Sequence, residues 1–418
     1  MLRAIYSLLF YLLLPIVVLR VYWRARREPE YSEDLAQRFG FVPVASSDNA
    51  PVWVHAVSAG ETIAARELVE RLLTEGHRVV VSNMTPTGRE RSAHLFGDRV
   101  TSVYAPYDTP LFVGRFLNRV CPSALIIIDT ELWPNMIALS EKAGLPVYLV
   151  NGRLSKKSAS GYGRVGMLSR PMLASITHVF AQTESQAELF SALGANSVTV
   201  SGSIKFDAKH PADLSKRVAD LQQHLSSRPF ILGASTHEGE ESILLEAFLR
   251  LDDAALLVLA PRHSHRAGAV EAMLNSRSIS FQRHSDGVAL DAHSRVYLLD
   301  TMGELIYFYG ACQIAFVGGS LVDVGGHNPM EPGGLGKPIL MGPYRRNIKD
   351  IAGQFAEAGA LLDVTDADDT YAALDVLVGE PERRLTMSRA ALEVMARNRG
   401  ALDRVFDVIL PMLRENKP

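Results

Sequence analysis

Short apolar runs, each breaking into a turn of polar residues or glycine, recur along this chain with helical stretches between them. Val52–Val57, Arg78–Ser82, Val100–Tyr104, Ala124–Ile128 and Val147–Val150 are such runs, and Ser58–Glu75, Thr85–Phe96 and Pro110–Val120 fill the gaps. Strands covered by helices on both faces read this way, because neither face meets water. The alternation predicts βα units in a doubly wound parallel sheet. A second series starts at Phe230, with turns at Gly233–Glu238, Ala260–His263, Asp300–Glu304 and Gly318–Pro332. Both halves share one grammar, so the expected fold class is α/β, two Rossmann-like domains facing a cleft. Length agrees, since 418 residues exceed what one hydrophobic core usually serves.

The predicted boundaries are 1–28 for an apolar leader, 29–207 for the first domain, 208–229 for a polar linker, 230–400 for the second domain, and 401–418 for a last helix able to cross back to the first. The leader departs from the soluble pattern. Ala4–Leu19 is apolar throughout, Arg20 interrupts it, and Val21–Trp23 continue it before Arg24, Arg26 and Arg27. With Arg20 able to snorkel, the segment approaches the roughly 20 residues that a bilayer span requires. It is expected to be a membrane anchor, with a helix lying in the interface or docked on the protein as the alternative, and the arginines after it place the rest of the chain in the cytoplasm. Pro29–Phe41 has a helical spacing and continues along the membrane surface, and 45–51 is a polar connector. The net charge of −3 gives no basic field for nucleic acid. Cys121 and Cys312 alone make no disulfide framework. Nothing in the chain speaks to oligomeric state.

Candidate site residues gather at strand ends, where ligands of doubly wound sheets collect. Gly318, Gly319 and Ser320 open a glycine-rich turn leading to Asn328-Pro329-Met330-Glu331. Main-chain N–H groups there, with the positive end of a following helix, can seat a phosphate, the dipole contributing roughly 0.3–2 kcal/mol. Equally, Asn328-x-x-Glu331 can be a capping box on a turn that only redirects the chain. Glu61 follows a strand and a flexible Ala59-Gly60, so its carboxylate can act as a general base; Ser58-x-x-Glu61 is also a capping box, and spacing alone favours the cap. Asp129-Thr130-Glu131 places two more acids at the same edge. Arg153 and Lys205 lie on strand-end loops where they can neutralise an anion. In the second half Pro261-Arg262 suits phosphate pairing, and Met302-Gly303-Glu304 can grip a ribose or base. His263, His265, His284 and His327 lack the spacing of a metal site, so no metal and no other cofactor is expected.

Taken in order, HAVSAGE (55–61), DTELWPN (129–135), NGRLS (151–155), GSIKFD (202–207), ASTHEGEE (234–241), PRH (261–263), DTMGEL (300–305) and GGSLVDVGGHNPMEP (318–332) resemble the bacterial Kdo transferase family. Its members move 3-deoxy-D-manno-octulosonic acid (Kdo) from CMP-Kdo to the lipid A precursor, lipid IVA. The resemblance implies a GT-B glycosyltransferase at the inner membrane, with the acceptor on the first domain, the nucleotide on the second, and inverting chemistry without a metal. It gives Glu61 the role of base, reversing the reading from spacing. Glu131 and Lys205 match residues that support the transition state; Pro261, Arg262, Met302, Gly303, Glu304 and Asn328 to Glu331 match the CMP-binding segments. Asp129 stands where the family usually has Glu, and Ser264-His265 replaces a common Pro-Glu. The rivals are a UDP-sugar GT-B glycosyltransferase or epimerase, and a membrane-tethered nucleotide-sugar sensor without catalysis.

Overall fold

A computed structural model describes residues 2–26, 28–43, 50–251 and 255–415. Most of the connector at 45–51 lies outside them, as does Arg27. The chain divides into two compact units, Met1–Lys209 with Asn398–Pro418, and His210–Arg397.

The first unit opens with α1 (Leu2–Ala25), followed by β1 (Val52–His55), α2 (Ala59–Ala64), α3 (Arg66–Thr74), β2 (Val79–Asn83), α4 (Pro86–Phe96) and β3 (Thr101–Tyr104). Next come α5 (Pro110–Val120), β4 (Ala124–Ile128), α6 (Pro134–Lys142), β5 (Val147–Gly152), α7 (Lys156–Arg164), α8 (Gly166–Ala174), β6 (His178–Ala181), α9 (Glu184–Ala192) and β7 (Val198–Val200). The strands form one parallel sheet in the order β3-β2-β1-β4-β5-β6-β7. Successive side chains of a strand point to opposite faces, so Trp53 enters one core and Val52 and Val54 the other.

The second unit begins with α10 (Leu214–His224), β8 (Phe230–Thr236), α11 (Glu240–Leu249), β9 (Leu256–Pro261), α12 (Ala267–Ser276), β10 (Phe281–Arg283), β11 (Val296–Leu298) and α13 (Leu305–Ala311). It continues with β12 (Ile314–Val317), α14 (Met330–Gly334), β13 (Ile339–Met341), α15 (Lys349–Glu357), β14 (Leu361–Asp363), α16 (Ala367–Gly379) and α17 (Pro381–Asn398). Its parallel sheet runs β10-β11-β9-β8-β12-β13-β14. The last helix, α18 (Ala401–Glu415), returns to the first unit. Leu402, Val405, Phe406, Ile409 and Leu413 repeat at helical spacing, which gives α18 one apolar stripe to bury in that unit's core.

Two local expectations change. The stretch taken as a linker is α10, a working part of the second unit: Leu221 and Leu225 are buried in its core, and Val218 lies so close to α13 that a Cβ on Gly310 would sit 2.5 Å from it. Its apolar positions are few but share one face, which is all a helix on a sheet needs to bury. Pro29–Phe41 is not one helix but two 3₁₀ turns, 29–31 and 35–39, separated at Asp34, where φ is +49°. Gln37 ties the second turn into the unit by accepting the Tyr104 N–H at 2.8 Å. The leader, α1, stays continuous through Pro15 and is long and apolar enough to cross a membrane. Its amino-terminal half is docked on the first unit, where Ser7 is buried against Asn135 and the Tyr11 hydroxyl accepts the Leu111 N–H at 3.3 Å.

Candidate active site

In the first unit the chain reverses direction across the sheet between β1 and β4, the switch point at which such sheets form a crevice. Glu61 follows β1 in the first turn of α2. Its N–H donates to Ser58 Oγ at 3.4 Å, while the Ser58 hydroxyl donates to Oε1 at 2.8 Å and the Val57 N–H to Oε2 at 2.6 Å. The carboxylate is thus folded back as a cap, onto Val57 rather than onto the Ser58 N–H. Burial nevertheless pushes its pKa up to about 7, outweighing the two hydrogen bonds that lower it, with Glu131 and Asp129 adding repulsion. A capped acid therefore has a pKa near neutrality, where a carboxylate can both hold and release a proton. Gly60 is helical rather than flexible, and a Cβ there would make ordinary contact with Ser58 Oγ at 3.9 Å.

Asp129 and Asn151, at the ends of β4 and β5, both adopt left-handed backbone, φ +58° and +64°, which their short side chains tolerate. The Asn151 amide donates to Asp129, and its oxygen accepts the Ile204 N–H at 3.3 Å. That bond brings the turn bearing half-buried Lys205 to the same edge. Thr130 accepts the Arg153 N–H at 3.0 Å, placing exposed Arg153 alongside. Glu131 accepts the Trp133 indole N–H at 2.9 Å, and the indole in turn lies edge-on to His55, 5.0 Å between ring centres. His55 is fully buried, and burial lowers its pKa to about 3, so it is a neutral floor to the site. Ser58, Gly60, Glu61, Glu131, Arg153 and Lys205 all sit on this one edge. Asn151 and His55 carry the local order, and their position at strand ends is the signal by which they can be found.

In the second unit the switch lies between β8 and β12. The glycine-rich turn after β12 differs from the expected phosphate seat. The N–H groups of Gly319, Ser320 and Leu321 donate at 2.7, 2.9 and 2.9 Å to Glu240, which also accepts the His237 N–H at 2.9 Å. A buried carboxylate of the protein itself fills the cradle, so these donors are committed and a phosphate has to be met elsewhere. Gly318 and Gly319 are required by contact: a Cβ on Gly318 would lie 2.4 Å from the Ser235 carbonyl, and Gly319 has φ +66° beneath the His327 ring. Sequence reasoning passed over Glu240 because the donors come from a distant segment.

The capping box at Asn328 is also absent. Asn328 Oδ1 accepts the Met330 N–H at 3.1 Å, Pro329 is the cap, and α14 has five residues, too few for a substantial dipole. Pro261 is buried at the end of β9, and Arg262 is exposed after it, its N–H held by the Thr236 carbonyl at 3.0 Å. Met302 and Gly303 are exposed before α13. Glu304 is already engaged with Arg217 at 2.8 Å, His284 at 3.0 Å and the Thr301 hydroxyl. His327 and His237 meet Nε2 to Nε2 at 2.8 Å; burial, then His237, lowers the His327 pKa to about 4. Among the described residues no three His, Cys, Asp or Glu side chains gather in a metal-holding group.

Two doubly wound parallel units, each with polar residues at its switch point, give this protein the GT-B fold. A family model described as 3-deoxy-D-manno-octulosonic-acid transferase matches residues 33–208. The 3-deoxy-D-manno-octulosonic acid transferase of Haemophilus influenzae is 35% identical over 99% of this chain and 99% of its own length. That of Bordetella pertussis is 37% identical over 97% and 98%. The chain belongs to this family. A UDP-GlcNAc 2-epimerase structure from Neisseria meningitidis shares the fold at a TM-score of 0.59 with 16% identity, covering 86% of this chain and 100% of that one.

Proposed function

We propose that this Kdo transferase moves Kdo from CMP-Kdo onto lipid IVA in lipopolysaccharide biosynthesis, with inversion and with Glu61 as general base. The observation that carries the reading is the Glu61 carboxylate, held by Val57 and Ser58 yet raised to about 7. A glucosamine hydroxyl of the acceptor gives its proton to Glu61 as its oxygen bonds to the anomeric carbon of Kdo. The bond from that carbon to the CMP phosphate breaks, and CMP leaves with the electron pair. Glu131 and Lys205 support the transition state from the same edge as Glu61. CMP is held by the second unit through Pro261 and Arg262, Met302 to Glu304, and Asn328 to Glu331, with Gly318, Gly319 and Ser320 shaping the turn behind it. No step uses a metal, so a chelator leaves turnover unchanged.

The apolar α1 and the arginines at its end keep the enzyme on the cytoplasmic face of the inner membrane, beside an acceptor that does not leave the bilayer. Incubating the full chain with CMP-Kdo and tetraacylated lipid IVA tests the reading; formation of a Kdo-bearing lipid is expected, and its absence refutes it. CMP, and not UDP, should raise the melting temperature, which separates this function from a UDP-sugar enzyme. A sensor without catalysis would bind CMP-Kdo and form no product.

A further inference from the structure

A groove of about 680 Å³ runs along the first unit between α1 and the pair α6 and α8, a size typical of ligand pockets. Tyr11 of α1, Pro134 and Ala138 of α6, and Leu168 and Met172 of α8 line it. Of its polar groups Asn135 and Ser175 are paired within the unit, and exposed Arg3 adds a cation to the lining. Asn135 donates to Ser7 at 3.0 Å and to the Asp108 carbonyl at 2.8 Å, and Ser175 donates to Glu141 at 2.9 Å. A trough with Asn135 and Ser175 paired and one cation in its lining offers an occupant mostly apolar burial, which suits an alkyl chain of an anionic lipid.

Its surroundings say what kind of molecule owns that chain. Pro134 and Asn135, which line it, follow Trp133 in the chain, and the Trp133 indole donates to Glu131. An adjoining recess of about 420 Å³ shares Leu2 and Met167 with the groove and carries Arg164 and Arg170. Tyr162, two residues before Arg164, lies near enough to Glu131 that the carboxylate, after burial, raises the phenol's pKa. Basic recess and apolar groove are therefore contiguous, and Tyr162, on the helix that carries Arg164, lies near Glu131. Leu9, Leu12, Leu13 and Ile16 of α1 continue the apolar surface outward.

We infer that the groove holds an acyl chain of the acceptor glycolipid while an anionic group of that lipid meets Arg164 and Arg170. The inference rests on the transfer reading above. The arginines select an anionic lipid, and the nearness of Tyr162, on the same helix as Arg164, to Glu131 favours the substrate over a lipid of the surrounding bilayer.

The test compares kcat/KM for tetraacylated lipid IVA and for its fully deacylated disaccharide in the full-length protein. Met167 is 76% exposed, so Met167→Asp puts a charge at the groove without touching the core. The acylated-to-deacylated ratio should fall about tenfold, the effect of losing roughly two buried methylenes; Ala138→Leu, which fills the groove, should lower it in the same direction. A ratio unchanged in both variants overturns the inference, and so does an equal loss on both acceptors. Native mass spectrometry with the same two lipids separates this from failure of the transfer reading. Retention of the acylated lipid by a wild type without turnover, weakened in Met167→Asp, upholds the groove and sinks the transfer; stronger retention of phosphatidylglycerol than of the acylated acceptor overturns the groove assignment.

Discussion

The turns after β1 and β12 flank their switch points from opposite sides, β12 lying where β4 lies in the first unit, and each is closed by a carboxylate that accepts main-chain hydrogen bonds. They differ in where the acid comes from. Glu61 accepts from its own turn and stays half-buried, so burial raises its pKa while one edge remains open to a ligand. Glu240 reaches across from the neighbouring strand, accepts four N–H donors and is 0% exposed. Donors that come from the acid's own turn leave it free to exchange a proton. Donors that come from two segments make it a rivet.

Exchanging charge for amide should break this contrast most sharply. Glu61→Gln is expected to lower kcat by about 10²–10⁴-fold with CMP binding retained, measured as initial rate against CMP-induced thermal shift; near-normal turnover removes Glu61 from the chemistry. Glu240→Ala leaves four donors without a partner and should cost about 3 kcal/mol of stability, seen as a lower denaturant midpoint. A loss under about 1 kcal/mol would mean that water or a ligand readily replaces the carboxylate.

Smaller changes sharpen it. Ser58→Ala removes a helix cap, costing about 1 kcal/mol, and takes away a hydrogen bond that favours the ionised Glu61. The acidic limb of the pH–rate profile should therefore move above its wild-type position near pH 7; an unmoved limb assigns it to another group. The smallest effect concerns stability. Glu61 has a folded-state pKa above the usual carboxylate value, so its favourable contribution is complete below the unfolded value and is lost as pH rises toward about 7. Relative to wild type, Glu61→Gln should melt higher at pH 8 than at pH 5, and a difference independent of pH would contradict the raised value.

Much of this was legible in the chain. The parallel strands and their covering helices follow from apolar runs such as Ala124–Ile128, because a strand buried on both faces needs no polar position. The edge carrying Glu61, Glu131, Arg153 and Lys205 follows too, since residues directly after parallel strands share one end of the sheet. The phosphate seat at Gly318 to Ser320 did not survive folding. Local reading finds donors, and a partner 79 residues away in sequence is invisible to it. Likewise α10 looked like a linker because its polar positions outnumber the stripe that Leu221 and Leu225 bury.

What the sequence alone determined is the order of strands and helices, the apolar leader and the types of side chain at each strand end. These depend on periodicity and turn chemistry, which act between near neighbours. Only the tertiary structure decided which carboxylate has its pKa raised by burial and which is tied to four main-chain amides, that α18 completes the first unit, and that α1 covers a groove against α6 and α8. Those outcomes depend on burial and on hydrogen bonds between distant segments, and both exist only once the chain has folded.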